Sequence, residues 1–170
     1  VVLPESVKST FLSGWFYHCV KLESVIIPKN ITVITSYSFQ GCSNLKRVTI
    51  PDSVTEIGEA FDGCSNLNGV YISDIEAWCN IKRPYGWFSS NPLYYAHNLY
   101  LNDQLVVNLD LPESVSKIED KSFLGCTCIT SVRIPNSTTI IGEYAFYECF
   151  NLTSVTIGNS ITSIGYDSFA

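Results

Sequence analysis

The feature that most constrains this chain is a repeat of about 23 residues, legible at several independent positions. Prolines that close an apolar triplet stand at Pro4, Pro28, Pro51, Pro112 and Pro135. Ser73 and Gly158 hold the same slot, so the steps are 24, 23, 22, 39, 23 and 23 residues. Phenylalanine keeps the beat at Phe16, Phe39, Phe61, Phe123, Phe146 and Phe169, and cysteine at Cys19, Cys42, Cys64, Cys126 and Cys149. An aliphatic residue opens each unit at Leu22, Leu45, Leu67, Val106, Ile129 and Leu152. One such unit cannot bury its own apolar side, but a stack of them in register can.

The best-formed unit runs from Leu45 to Cys64. Leu45-x-x-Val48-x-Ile50 ends in a period-two alternation, the mark of a strand with one buried face. Val48 and Ile50 are expected to point inward, Arg47 and Thr49 outward. Pro51 ends the strand because it has no N–H for a ladder. Val54 to Gly58 reads as a second short extended stretch, and Glu59 to Cys64 as a turn or 3₁₀ segment that brings Phe61 and Cys64 inside. Seven strand rungs follow from this pattern, the first at Val1 to Leu3. At the spacing of hydrogen-bonded strands the stack would be roughly 30 Å long. The whole chain, 1–170, reads as one solenoid domain that opens and stops inside the pattern, and so as a fragment of a longer array.

One step is 16 residues longer than the rest, and it marks an insertion over residues 74–107. Ser73-Asp-Ile-Glu76 is a capping-box pattern, and Ile75, Trp78 and Cys79 follow at helical spacing. This predicts a short helix sealing the neighbouring coil. Lys82 to Asn91 reads as a loop by composition. Leu99–Leu101 and Leu105–Val107 around Asn102-Asp103-Gln104 read as a tight hairpin.

Val-x-Ile-Pro-x-Ser-Val-Thr-x-Ile-Gly, followed by Ala-Phe and Cys-x-Asn-Leu, resembles the BspA-like leucine-rich repeat; residues 47–69 and 132–154 carry the pattern almost without departure. The resemblance implies a right-handed leucine-rich-repeat solenoid of β-rich coils with a parallel sheet on the concave face. It also implies surface-exposed or secreted bacterial proteins tied to adhesion and host-protein binding. The insertion, with its Trp-Cys-x-Ile and Asn-Pro-Leu-Tyr-Tyr-Ala-His segments, is similar to variants of the repeat in that family. The departures are Thr138 at a Val position, Ser73 and Gly158 for Pro, and Thr10-Phe11 at the Ile-Gly position of the first unit.

Chemistry is sparse. The five cysteines at one repeat position read as a ladder of buried free thiols acting as small hydrophobes, although neighbouring rungs lie near disulfide distance. Cys126 and Cys128 are one residue apart and no histidine is near in sequence, so zinc is not expected. Cys79 and His97 share the insertion without a third orienting residue or an oxyanion motif, so a Cys–His nucleophile is not expected. Asp74 and Glu76 fit helix capping better than glycoside hydrolysis. No phosphate loop or metalloprotease motif occurs. The expectation is a non-enzyme with no cofactor and no metal.

The charge is −6 at neutral pH, which argues against nucleic acid. No run of eighteen apolar residues exists to span a membrane. The resemblance implies an adhesin-like binding protein outside the cell, with a protein ligand as the expected partner and its oligomeric state open. The candidate contacts are the outward positions of the sheet, where residues vary while inward ones repeat: Arg47, Thr49, Tyr71, Asn108, Asp110, Arg133 and Thr156. A second candidate is the aromatic loop with Tyr85, Trp87 and Phe88, followed by Tyr94, Tyr95 and Tyr100, which suits a glycan or protein. A structural spacer projecting another domain is the alternative without a ligand.

Overall fold

Each repeat unit forms one coil, and the coils stack because their strands pair at the repeat offset. The computed structural model describes residues 1–4, 6, 9–84 and 88–170. The strands begin with β1 (Phe11–Leu12), β2 (Ser24–Ile26), β3 (Val33–Ile34), β4 (Arg47–Thr49), β5 (Glu56–Ile57) and β6 (Gly69–Ile72). The insertion follows, with helix α1 (Ile75–Cys79), a 3₁₀ turn at Phe88–Ser90, helix α2 (Leu93–Ala96), β7 (Leu99–Leu101) and β8 (Gln104–Leu105). The last coils carry β9 (Asn108–Asp110), β10 (Lys117–Ile118), β11 (Ser131–Ile134), β12 (Ile140–Ile141), β13 (Ser154–Ile157) and β14 (Ser163–Ile164).

Two kinds of parallel ladder result. The longer strands pair as β2-β4-β6-β7 and as β9-β11-β13; the short ones pair as β1-β3-β5 and as β10-β12-β14. In-register partners such as Val25, Val48 and Val70 lie inside, fully buried. The phenylalanines stack ring on ring: Phe39 lies 5.2 Å from Phe61, and Phe123 lies 5.0 Å from Phe146, nearly parallel in both pairs. Side-chain amides repeat the offset too. Asn44, Asn66 and Asn151 donate to Val20, Ser43 and Thr127 carbonyls of the preceding coil, at 2.7, 2.7 and 2.8 Å. The repeat glycine is required by close backbone approach: a Cβ at Gly142 would stand 2.5 Å from Asp120 N.

Several sequence expectations change. Leu12 pairs with Ile34 in register, so Leu12-Ser13, not Thr10-Phe11, holds the Ile-Gly slot of the first unit. Asp74, not Ser73, caps α1: its Oδ1 accepts from the Glu76 and Ala77 N–H groups at 2.8 and 3.0 Å. The hairpin turn has two residues, Asn102 and Asp103, both in the left-handed region that its tight geometry demands. Its first strand β7 also pairs in parallel with β6, which adds a rung the repeat spacing did not predict. Thr138 is buried and keeps its valine-like place by donating its hydroxyl to Val115 O at 2.7 Å.

All seven cysteines are free thiols. Cys42, Cys64 and Cys149 are buried and donate to the Phe16, Phe39 and Phe123 carbonyls of the coil before. Cys19 departs from the expected buried ladder and is exposed. Burial pushes the thiols up from 9.0, Cys42 to about 11 and Cys64, Cys79 and Cys149 to about 12. Below the unfolded value these neutral thiols stabilise the fold in full; as pH rises from 9 the unfolded chain ionises first and that stability is lost. Arg83 opposes the trend, because burial lowers it from 12.5 to about 9 and stability is regained above that. With five raised thiols, Cys126 among them, against two cations lowered by burial, Arg83 and Lys121, the urea midpoint of the reduced protein should fall steadily between pH 9 and 11. A flat or rising midpoint would contradict the buried thiol ladder.

Candidate functional site

The strand face is built by the outward residues of β2, β4, β6 and β7. Register sets Ser24, Arg47 and Gly69 in one row, and Ile26, Thr49, Tyr71 and Tyr100 in the next. Tyr100, read from sequence as part of the aromatic loop, therefore belongs to this face. Its ring stacks on Tyr71 with centroids 4.3 Å apart and planes 6° from parallel. The Arg47 guanidinium lies over the other side of Tyr71, 3.5 Å from the ring centroid. Glycine at 69 makes the arrangement possible, for a Cβ there would be 2.8 Å from the Tyr71 ring and 3.2 Å from the Tyr100 ring.

The hairpin turn completes the patch. Asp103 Oδ1 accepts from Arg47 Nη2 at 2.9 Å across 56 residues of chain. Both side chains are largely exposed, so the pair orients the guanidinium more than it stabilises the fold. Burial, and then Tyr100, push the Tyr71 phenol above its ordinary range, so it is a neutral donor and acceptor at any physiological pH. Thr49 lies in the same row, and its buried hydroxyl has no hydrogen-bond partner among the described residues. Ile26, 45% exposed, adds apolar surface beside it. Together they border a shallow groove of about 250 Å³ between the strand ends and the hairpin turn. Stacked rings, a guanidinium and a half-exposed aliphatic side chain suit contact with a protein surface.

The other candidates lie elsewhere. Asn108, Asp110, Arg133 and Thr156 are in the β9-β11-β13 sheet, which the hairpin separates from the first. Among the described residues, no hydrogen bond, ion pair or ring contact joins the two groups, which stand on separately bonded sheets. Arg133 is engaged within its own: Nε donates to Asp110, Nη2 to Leu111 O at 3.2 Å, and Nη1 lies 3.5 Å from Glu113. Asn108 Oδ1 accepts from Ser131 Oγ at 2.7 Å. Tyr85 and Trp87 lie outside the described residues. Phe88 packs against Tyr94, Tyr144 and Tyr147 and lines a separate cavity on the turn side of the coils.

The groups weighed for catalysis are apart in role. Cys79 is buried and its carbonyl accepts from Glu119 N–H at 2.9 Å, while His97 ends α2 and bonds Gly125 O through Nδ1 at 2.9 Å. Cys126 and Cys128 have sulfurs 3.5 Å apart. Among the described residues no group of His, Cys, Asp and Glu is placed to hold a metal ion. No helix there is long and apolar enough to cross a membrane. Sequence reasoning placed Tyr100 with the aromatic loop instead of this face, and did not assign Asp103 to a site. The signal for Tyr100 was present in its alternation with Leu99 and Leu101; for Asp103 there was none.

Comparison with known proteins agrees with this architecture. The family model described as "BspA type Leucine rich repeat region" matches in six copies over residues 1–81 and 96–170. Among solved structures, a leucine-rich repeat protein of T. pallidum is 27% identical, with a TM-score of 0.54, covering 97% of this chain and 72% of its own. A leucine-rich cell surface protein of Faecalibacterium prausnitzii is 26% identical with a TM-score of 0.50, covering 99% of this chain and 44% of its own. A leucine-rich repeat protein from Bacteroides ovatus, at 23% identity and a TM-score of 0.51, shares the fold and covers 97% of this chain but 47% of its own. No curated protein matches the chain.

Proposed function

This chain belongs to the BspA-type leucine-rich-repeat family, and from that premise we propose that it is an adhesin-like protein-binding module that works outside the cell and takes its ligand on the β2-β4-β6-β7 face. The single observation that carries the reading is the Tyr71–Tyr100 stack with Arg47 laid on it. Aromatic and arginine side chains dominate binding energy at protein interfaces because they cover large areas with few rotors to freeze. Here the rings and guanidinium already hold one another, so little ordering remains for a ligand to impose. Solenoid folds present such surfaces on rigid stacked strands. The cell-surface naming of one structural relative supports placing this module at a surface as well.

The test is immobilisation of the protein against a panel of purified extracellular-matrix and plasma proteins. We expect saturable binding of at least one, weakened about 30-fold or more in Arg47→Ala/Tyr71→Ala, the scale of losing a ~2 kcal/mol contact. Arg133→Ala, on the second sheet, should bind like the parent. Binding unaffected by the first variant would remove the site, and silence across the panel would favour a spacer that only projects another domain.

A further inference from the structure

On the turn side of the coils lies a larger cavity, of about 680 Å³, bordered by Tyr37, Glu59, Asp62, Phe88, Tyr95 and Tyr144 among others. That volume is in the usual range for ligand sites, roughly 300–1,000 Å³. We propose that it is a second binding site, independent of the strand face, and that it takes the cationic side chains of an extended basic peptide.

The argument begins with charge. Glu59 and Asp62 both border the cavity, and among the described residues no lysine, arginine or histidine does. Asp62 accepts from Tyr95 Oη at 3.2 Å and from Gln40 Nε2 at 3.0 Å. Both donors are neutral, so they orient the carboxylate without cancelling it. Neither Asp62 nor Glu59 forms an ion pair among the described residues. Lys121 shares the repeat position of Tyr37 and Tyr144, but it is buried and does not border the cavity. The wall therefore carries two uncompensated negative charges.

Apart from Gln40 and Ser89 the remaining lining is aromatic, and its rings brace each other. Phe88 meets Tyr144 edge to face at 5.6 Å and Tyr94 at 5.6 Å, and Tyr94 meets Tyr95 edge to face at 5.3 Å. Ring faces beside carboxylates attract guanidinium and ammonium groups, and repel anions. Backbone conformation points the same way. The position two before the repeat phenylalanine takes a left-handed φ in most coils, as at Gly14, Lys121 and Asp167, though not at Glu59. Bulky side chains rarely accept it, yet Tyr37 (φ 67°) and Tyr144 (φ 55°) do so at this cavity. Such strain is retained where the surroundings enforce it, often at ligand sites.

Size and layout select a peptide over a small amine. Tyr37 comes from one coil, Glu59 and Asp62 from the next, and Tyr144 from beyond the insertion, so the cavity runs along the stack. A single ammonium ion would leave most of it unfilled, whereas an extended chain would place successive basic side chains along it.

Isothermal titration at physiological salt with acetyl-tetraarginine amide tests this, alongside tetramethylammonium, maltotetraose and acetyl-tetraglutamate amide. Saturable binding of the arginine peptide alone is expected. Glu59→Gln/Asp62→Asn should weaken it about tenfold or more. Tyr37→Asn, which removes the ring but tolerates the left-handed backbone, should weaken it several-fold, with thermal melts confirming folded protein. Glu23→Gln/Glu76→Gln removes as much charge elsewhere and should bind normally, as should Arg47→Ala/Tyr71→Ala. No saturable binding, an equal loss in Glu23→Gln/Glu76→Gln, or a preference for maltotetraose or tetramethylammonium would overturn the proposal.

Discussion

Phe123→Ala is expected to destabilise the protein by about 3–5 kcal/mol, the cost of emptying a phenylalanine site in a closed core. For a chain of this size that corresponds to a melting temperature lower by about 6–20 °C. Phe123 is fully buried, stacked on Phe146 and fixed by its own N–H to Ala145 O at 2.7 Å. Coils above and below hold their place through backbone ladders, so the void cannot close by collapse. The same repeat position supplies an internal control. Phe169 stacks on Phe146 but is 37% exposed, and Phe169→Ala should cost less than half as much. Equal melting temperatures for both variants and the parent would be incompatible with a stacked phenylalanine core.

Trp78→Ala should cost a similar ~3–5 kcal/mol but change the form of unfolding as well. Trp78 is 1% exposed on α1, and its indole N–H donates to Ser122 O at 2.9 Å across the insertion. The Arg83 guanidinium lies 4.7 Å from its ring, and Arg83 Nε and Nη2 have no hydrogen-bond partner among the described residues. Removing the indole takes away the ring face that Arg83 packs on and the side chain that joins α1 to the later coils. In a stack where each unit is stabilised mainly by its neighbours, weakening one junction uncouples the blocks on either side. Circular dichroism in urea should show two transitions where the parent shows one. A single transition at the parent's midpoint would mean the two blocks are joined by contacts other than Trp78.

Most of the coil was legible in the sequence because its contacts recur at a constant offset. Val25, Val48 and Val70 pair at steps of 23 and 22, so an alternation that repeats in the sequence repeats in space. The phenylalanine stack and the thiols bonded to the preceding coil follow the same rule, as do the outward positions Arg47, Thr49 and Tyr71. The exception within the rule is Cys19, which has the right position in its unit but is exposed.

The insertion lies outside that rule, and there the path of the chain decided. Asp103 meets Arg47 across 56 residues, Trp78 meets Ser122 across 44, and Tyr95 meets Asp62 across 33, offsets that nothing in the sequence repeats. Parallel pairing of β7 with β6 sets Tyr100 beside Tyr71, and the two-residue turn at Asn102-Asp103 then reverses the chain, brings Asp103 to Arg47 and ends the first sheet at β8. The sequence alone thus determined the coil, its inward side and the family, since each is written once per repeat and enforced by packing against an identical neighbour. Tertiary structure alone decided which outward residues stand together and where the cavity opens, because those contacts depend on a single unrepeated excursion of the chain.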